Sequence, residues 1–457
     1  MADRAIDYSY RYEHESSLEV SGRSASLKLA TSGGPTTNPR LYAGRVVAPV
    51  LFADALLAVG AVARSRFHVP AAMFQHILNL KDPVATATND RLRFEAFSSC
   101  CSAYARLDML PGSTDGELLG AGTTNVDLGT DVRAALAGVF EGVVMDLHVG
   151  LKDLAIEVDG VPHVERKVVL PSRWIRGFLE VQAIQSDMKP RFEVDGAALR
   201  RFLRDLPRGA TRPIQIRAQG RDLIVGHRAA ADSVQVGSPD RLRLMERLAS
   251  RATALRVYAA GDGSTAWCLE LPDARFTLAL STEAWRGFSG EGRSLDGLAA
   301  ADQGLVARLR AELAWQSRLS PEVLAGRLGV DPGAVVAALS VLASSGLVGF
   351  DVAEGTYFHR VLPFSVDRVE RAAPRLRRAG QLVAGGAVRF EPSRAGAAEA
   401  VAWVAGRNAE YRVRFGPFGD ACTCPWWGKH PGDRGPCAHM LAAQMVRAGR
   451  DGGSDDA

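Results

Sequence analysis

Cys422-Thr423-Cys424-Pro425-Trp426-Trp427-Gly428-Lys429-His430-Pro431-Gly432-Asp433-Arg434-Gly435-Pro436-Cys437-Ala438-His439 is the stretch from which the rest of the chain can be read. It reduces to C-x-C-x12-C-x-H, two close pairs of soft ligands, which is what a tetrahedral zinc site needs. Residues i and i+2 on a strand point the same way, so Cys422 and Cys424 can converge on one ion. Cys437 and His439 fall where a helix begins, and the positive end of that helix faces the site. Three thiolates and a neutral imidazole leave Zn²⁺ with a net charge of −1 and no position for water. One structural zinc ion is therefore expected, held by Cys422, Cys424, Cys437 and His439. His430, inside the spacer, is the alternative to His439, which has the tighter spacing and the helix in its favour.

The flanks extend this reading. Val388-Arg389-Phe390 and Tyr411-Arg412-Val413-Arg414-Phe415 have strand character. Behind His439, Met440, Leu441, Ala443 and Val446 form the apolar stripe of a helix that Gly449 ends. These residues resemble the SWIM zinc finger family, whose pattern is C-x-C, a variable spacer and C-x-H. The match spans about residues 388–449. The resemblance implies a ββα zinc module that contacts DNA or protein, in proteins often linked to ATPases or helicases. The chain has no G-x-x-x-x-G-K-[ST] sequence of its own, so such a motor is expected on a separate polypeptide. Arg412, Arg414, Lys429, Arg434 and Arg447 are the candidate phosphate contacts. Trp426 and Trp427 can stack on nucleic-acid bases or fill the core of a module with little else to bury.

Charge points to the same end of the chain. The protein is only +4 overall, yet residues 360–450 hold fifteen Lys/Arg against seven Asp/Glu, which leaves −4 for the remainder. Such a surplus suits a polyanion. Composition is ordinarily globular, with 47% hydrophobic and 23% charged residues, so disorder is not the default. The polar N-terminus lacks the apolar core of a secretion signal and no apolar run reaches membrane-spanning length, so a cytoplasmic location without membrane contact is expected. Cys100, Cys101 and Cys268 read as buried reduced thiols.

Upstream of the zinc motif, Leu305–Trp315 is amphipathic. Ser320-Pro321 and Asp331-Pro332 each place a cap before a proline, opening two short helices with Gly329 between them. Gly346–Phe350 and Thr356–Phe358 then read as two strands around Glu354-Gly355. The order resembles a winged helix-turn-helix over residues 298–364. Its third helix, Pro332 to Ser345, contains no Arg, Lys, Asn, Gln, Asp or Glu, so it cannot make bidentate contacts to base edges. Close packing on neighbouring protein suits it better. Arg368, Arg371, Arg375, Arg377 and Arg378 follow in a linker helix that is either solvated or a phosphate-contacting patch.

The N-terminal half is an α+β region. Val46–Arg66 has helical spacing, and Leu92-Arg93-Phe94-Glu95-Ala96-Phe97 alternates like a strand. Residues 125–290 hold two units of β-α-β-β-β order offset by about 68 residues, with a partial echo at Ala254–Phe288. In pattern alone they resemble the half-domains of DNA sliding clamps. The expected organisation is a multidomain α+β chain: an N-terminal region at 1–124, duplicated units at 125–290, the winged helix-like unit at 298–364, the zinc module at 380–449 and an acidic tail at 450–457. No catalytic motif or small-molecule site is found. The function expected is a non-enzymatic zinc-binding adaptor or scaffold. Its zinc module would touch nucleic acid, DNA more readily than RNA and without sequence preference. The alternative is a purely protein–protein regulator in which zinc is a folding staple.

Overall fold

A computed structural model of the chain describes residues 10–11, 17–21, 24–29, 40–67, 83–125, 128–150, 166–167, 172–226, 228–285, 287–288, 302–362, 374–392, 399–406, 409–417, 419–431 and 434–451. Residues 151–165 of the duplicated units, the junction at 291–297, residues 366–373 of the arginine run and nearly all of the acidic tail lie outside them. The architecture is mixed α+β in several units, as the sequence indicates.

The central element is an eight-stranded antiparallel sheet. Its spatial order is Lys189–Asp195, Ala254–Ala259, Thr265–Leu271, Ala274–Leu280, Ala103–Met109, Leu92–Phe97, Val84–Ala87 and Gly122–Asn125. Strands far apart in sequence are direct neighbours here: Ala103–Met109 pairs along its length with Ala274–Leu280. The boundary expected near residue 125 thus runs through one sheet, because long-range pairing leaves no local sign in the sequence. The β-α-β-β-β order also occurs earlier than expected. Arg40–Val46, Pro49–Arg64, Val84–Ala87, Leu92–Phe97 and Ala103–Met109 follow the same order as Lys189–Asp195, Gly196–Asp205, Ile214–Gln219, Asp222–Gly226 and Val234–Val236.

One face of the sheet is apolar and packs on the helix Pro49–Arg64, with Phe52 and Phe94 in edge-to-face contact at 6.1 Å. The other face carries charge. Alternation puts Arg93, Glu95, Arg106 and Asp108 on one side of adjacent strands, with Arg93 opposite Asp108 and Glu95 opposite Arg106. An alternating strand usually shows its polar side to water, but here every residue of both strands is buried. The cover is formed by residues 302–362: the helices Gln303–Ala311, Pro321–Leu328 and Pro332–Ser344 and the hairpin Val348–Asp351/Thr356–His359.

Under this cover the charges pair. Arg93 Nε donates to Asp108 Oδ1 at 2.7 Å and Arg106 Nε donates to Asp108 Oδ2 at 2.8 Å. Arg106 also reaches Asp351 of the hairpin at 2.7 Å and donates to the Phe350 carbonyl at 2.7 Å. Arg360 pairs with Glu95, which accepts from Tyr104 OH at 2.6 Å. The Arg93 guanidinium lies 4.0 Å over the Phe358 ring. Three guanidinium groups and three carboxylates are thus fully buried and balanced. Burial pushes the Asp351 carboxyl up, but Arg106, Arg93 and Arg275 outweigh it and hold the group at about 2.

The covering unit is built by the devices visible in its sequence. Ser320 Oγ accepts from Val323 N–H and Asp331 Oδ2 from Ala334 N–H, closing two helix starts. Gly329 between them has a φ of 67°, a left-handed turn that glycine adopts without strain. The small-residue helix Pro332–Ser344 buries Val335, Ala338, Leu339 and Leu342 and packs on the helix Ser172–Ser186. Protein, not solvent, covers much of the helix that lacks base-reading side chains. Cys100, Cys101 and Cys268 are buried as expected.

Removing Asp108 leaves the buried Arg93 without its carboxylate and Arg106 with Asp351 alone, so Asp108→Ala is expected to cost about 3–5 kcal/mol in urea unfolding. Arg318→Ala, which takes an exposed arginine (2.6 Å) from a largely buried Glu354 that keeps Arg91 at 2.9 Å, should cost under ~1 kcal/mol. Because the folded state holds Asp351 at about 2, its contribution is full above roughly pH 4, the ordinary Asp value, and is lost as pH falls through the folded value. The acid limb of a stability–pH curve should therefore be shallower between those values in Asp351→Asn than in the wild type.

Candidate metal centre

A second core, sharing no residue with the first, lies in residues 379–443. Its sheet has four antiparallel strands in sequential order: Val388–Phe390, Ala400–Ala405, Glu410–Phe415 and Ala421–Cys422. The second strand, Ala400-Val401-Ala402-Trp403-Val404-Ala405, was not anticipated, since its alanines weaken the strand signal. Ala402, Val404, Val413 and Phe415 point inward. Against them packs the helix Ala438–Asp451, and the helix Pro374–Ala384 packs on that helix in turn.

The four expected ligands come together at the end of this sheet. The donor atoms of Cys422, Cys424, Cys437 and His439 lie within 4.8 Å of one another, the three cysteines being buried and the histidine half-buried. A tetrahedron with zinc–sulfur bonds of about 2.3 Å has edges of roughly 3.8 Å, so the donors stand close to what one zinc ion requires. His430 is outside the cluster. It sits after the short helix Pro425–Lys429 with its ring 5.3 Å from that of Trp426.

Backbone and ring contacts fix the donors. Cys424 Sγ accepts from Trp427 N–H and Cys437 Sγ from Met440 N–H, each at 3.4 Å. Each sulfur thus caps the helix that follows it, directing N–H groups at the charge the thiolates carry. The Tyr411 ring lies 4.5 Å from that of His439 and sets its tilt. Tyr411 is a positioning residue that spacing alone does not reveal. The crowded sulfurs compete for protons: contacts from Cys422 and Cys437 push the Cys424 thiol down, while contacts from Cys424 and Cys437 push the Cys422 thiol up. Three sulfurs and an imidazole nitrogen converging on one point are a donor set that suits a soft cation. With every donor supplied by protein, the chemistry is structural: the ion would tie the sheet end to the helix start.

The candidate nucleic-acid residues divide into groups. Trp426 and Trp427 are half-buried and pack on the module's core. Lys429 is exposed and Arg434 half-exposed on the zinc loop, and neither forms an ion pair among the described residues. Arg412 and Arg414 are on the outer face of the sheet, where Arg414 meets Glu399 at 3.3 Å. Arg447 lies 5.7 Å over the Phe415 ring. Arg375, from the arginine run ahead of the module, covers the Trp426 ring with its guanidinium at 4.7 Å. Charge counting by chain end also passed over residues 189–228, with ten Lys/Arg against four Asp/Glu. Several of these arginines meet carboxylates, as in Arg201–Asp222 at 2.7 Å and Arg204–Asp205 at 3.2 Å.

Residues 411–443 match the SWIM zinc finger family. A comparison with curated proteins finds no match. Among solved structures, the chain is similar to the Proliferating Cellular Nuclear Antigen of Entamoeba histolytica, at 10% identity and a TM-score of 0.33, over 53% of this chain and 98% of that one. It is also similar to the PCNA2-PCNA3 complex of Sulfolobus tokodaii, at 8% identity and a TM-score of 0.34, over 52% and 98%.

Cys437→Ser is expected to abolish stoichiometric zinc by atomic absorption and to expose the amides of residues 410–447 to rapid hydrogen exchange, since binding and folding are coupled in such sites. The eight-stranded sheet should stay protected, and His430→Ala should retain its zinc. Full zinc occupancy in Cys437→Ser would show that the ligand set is wrong.

Proposed function

We propose that this chain, which ends in a SWIM zinc finger, is a non-enzymatic scaffold whose zinc module contacts nucleic acid. DNA is the favoured form, engaged through its backbone without reading sequence. The observation that carries this is the charge of the module's surface. Lys429, Arg434 and Arg412 form no ion pair among the described residues, in a segment with a surplus of eight positive charges. Cations without internal partners can replace the counterions of a phosphate backbone.

The remaining features support a scaffold. Residues 302–362 hold three helices and a hairpin, and the third helix lacks base-reading side chains and is spent on packing. The same unit is locked to the large sheet through Asp351 and Arg360. Among the described residues no single helix is long and apolar enough to cross a membrane. An ATPase or helicase, if one works with this chain, is a separate protein that the scaffold would bring to nucleic acid.

The test is binding of the zinc-loaded full chain to a fluorescein-labelled duplex across a salt series. Log affinity should fall linearly with log salt, by about 0.9 for each phosphate neutralised. Duplexes of unrelated sequence should bind alike. No detectable binding at low salt would sink the reading in favour of a protein partner.

A further inference from the structure

Two faces of the zinc module could meet a phosphate backbone, and they differ in chemistry. On the outer sheet face, Arg389, Trp403 and Arg412 stand in one cross-strand row. Carboxylates are interleaved there: Arg389 lies 3.8 Å from Glu410, Arg414 lies 3.3 Å from Glu399, and Trp403 Nε1 donates to Glu391 at 2.7 Å. An approaching phosphate would meet as many negative groups as positive ones.

The other face combines the helix Pro374–Ala384 with the zinc loop. Arg375 joins them: its Nη1 donates to the Arg434 carbonyl at 2.6 Å and the Pro436 carbonyl at 2.7 Å, and its guanidinium covers Trp426. Arg378 lies one turn further along the same flank of the helix. Lys429 follows Trp426 by three residues on its short helix. The sequences of the helix and of residues 425–436 together contain Arg375, Arg377, Arg378, Lys429 and Arg434 against Asp433 alone.

We infer that the linker helix and the zinc loop form one composite phosphate-binding face, with Arg378, Lys429 and Arg434 as contacts and Arg375 as the positioning residue that holds the two parts together. This rests on the nucleic-acid reading above. It also changes the role of Trp426. With Arg375 over one side of its ring and His430 beside it, Trp426 builds the surface and does not stack on bases. The partner that fits is duplex DNA engaged by its phosphates, and the linker helix belongs to the binding unit.

The experiment uses the zinc-loaded full chain and a 30-base-pair labelled duplex of mixed sequence. Arg378→Glu, Lys429→Glu and Arg434→Glu should each weaken binding by roughly tenfold and lower the salt slope by about one, with one zinc per chain retained. Arg389→Glu and Arg414→Glu should stay within about twofold of the wild type. If the wild type binds and the first three variants match it, the composite face is wrong. A loss confined to Arg389→Glu and Arg414→Glu would then leave the nucleic-acid reading standing on the sheet face. A loss on Arg200→Glu or Arg204→Glu alone would move the contact to the N-terminal half and overturn both. A wild type that does not bind at low salt also overturns both.

Discussion

Six charged side chains buried between a sheet and the unit that covers it set the terms for the large body of this protein. Desolvating them costs several kcal/mol per ion, and their mutual attraction offsets this only when the geometry is good. Arg93, Arg106, Asp108 and Asp351 meet that condition through short, shared contacts, while Glu95 is held by Arg360 and Tyr104. Such a cluster adds little net stability over an apolar one. It does penalise alternatives: a sheet without residues 302–362, or a cover shifted in register, would leave charges stranded. Asp351 ends the first strand of the hairpin and Arg360 follows its second, so the cover's placement is set by charge and its closeness by the small residues of Pro332–Ser344.

The C-terminal module solves the same difficulty by other means. Its core is too small to hold a sheet end, a loop and a helix start together by apolar burial alone. A cluster of thiols able to hold a cation takes over, and the sulfurs double as helix caps through Trp427 and Met440. Arg375 then extends the arrangement to a helix that precedes the sheet, through two carbonyls of the zinc loop.

Local features were legible in the sequence. The spacing C-x-C-x12-C-x-H marked all four members of the cluster, and Ser320, Asp331 and Gly329 marked the helix boundaries they occupy. Long-range features were not. Nothing near Ala103–Met109 announces Ala274–Leu280 as its neighbour. The alternation in Leu92–Phe97 is real, but a periodic pattern cannot say whether its polar side meets water or another unit, and here it meets Asp351 and Arg360. Ala400–Ala405 was missed because alanine favours no strand and the segment becomes one only through its neighbours. The sequence offered Trp426 as a stacking platform or, the more usual place for such a ring, as a core residue. In the structure the ring is half-buried with the Arg375 guanidinium over it, a contact that joins residues 51 positions apart.

The two cores have no side chain in common. Cooperativity travels through shared contacts, so the two ends of the chain can lose order separately. The body answers to acid, through its carboxylates, and the zinc module answers to chelators and oxidants, through its thiols. A cell short of zinc would then hold a chain whose body keeps its shape but whose C-terminal module has lost its fastening.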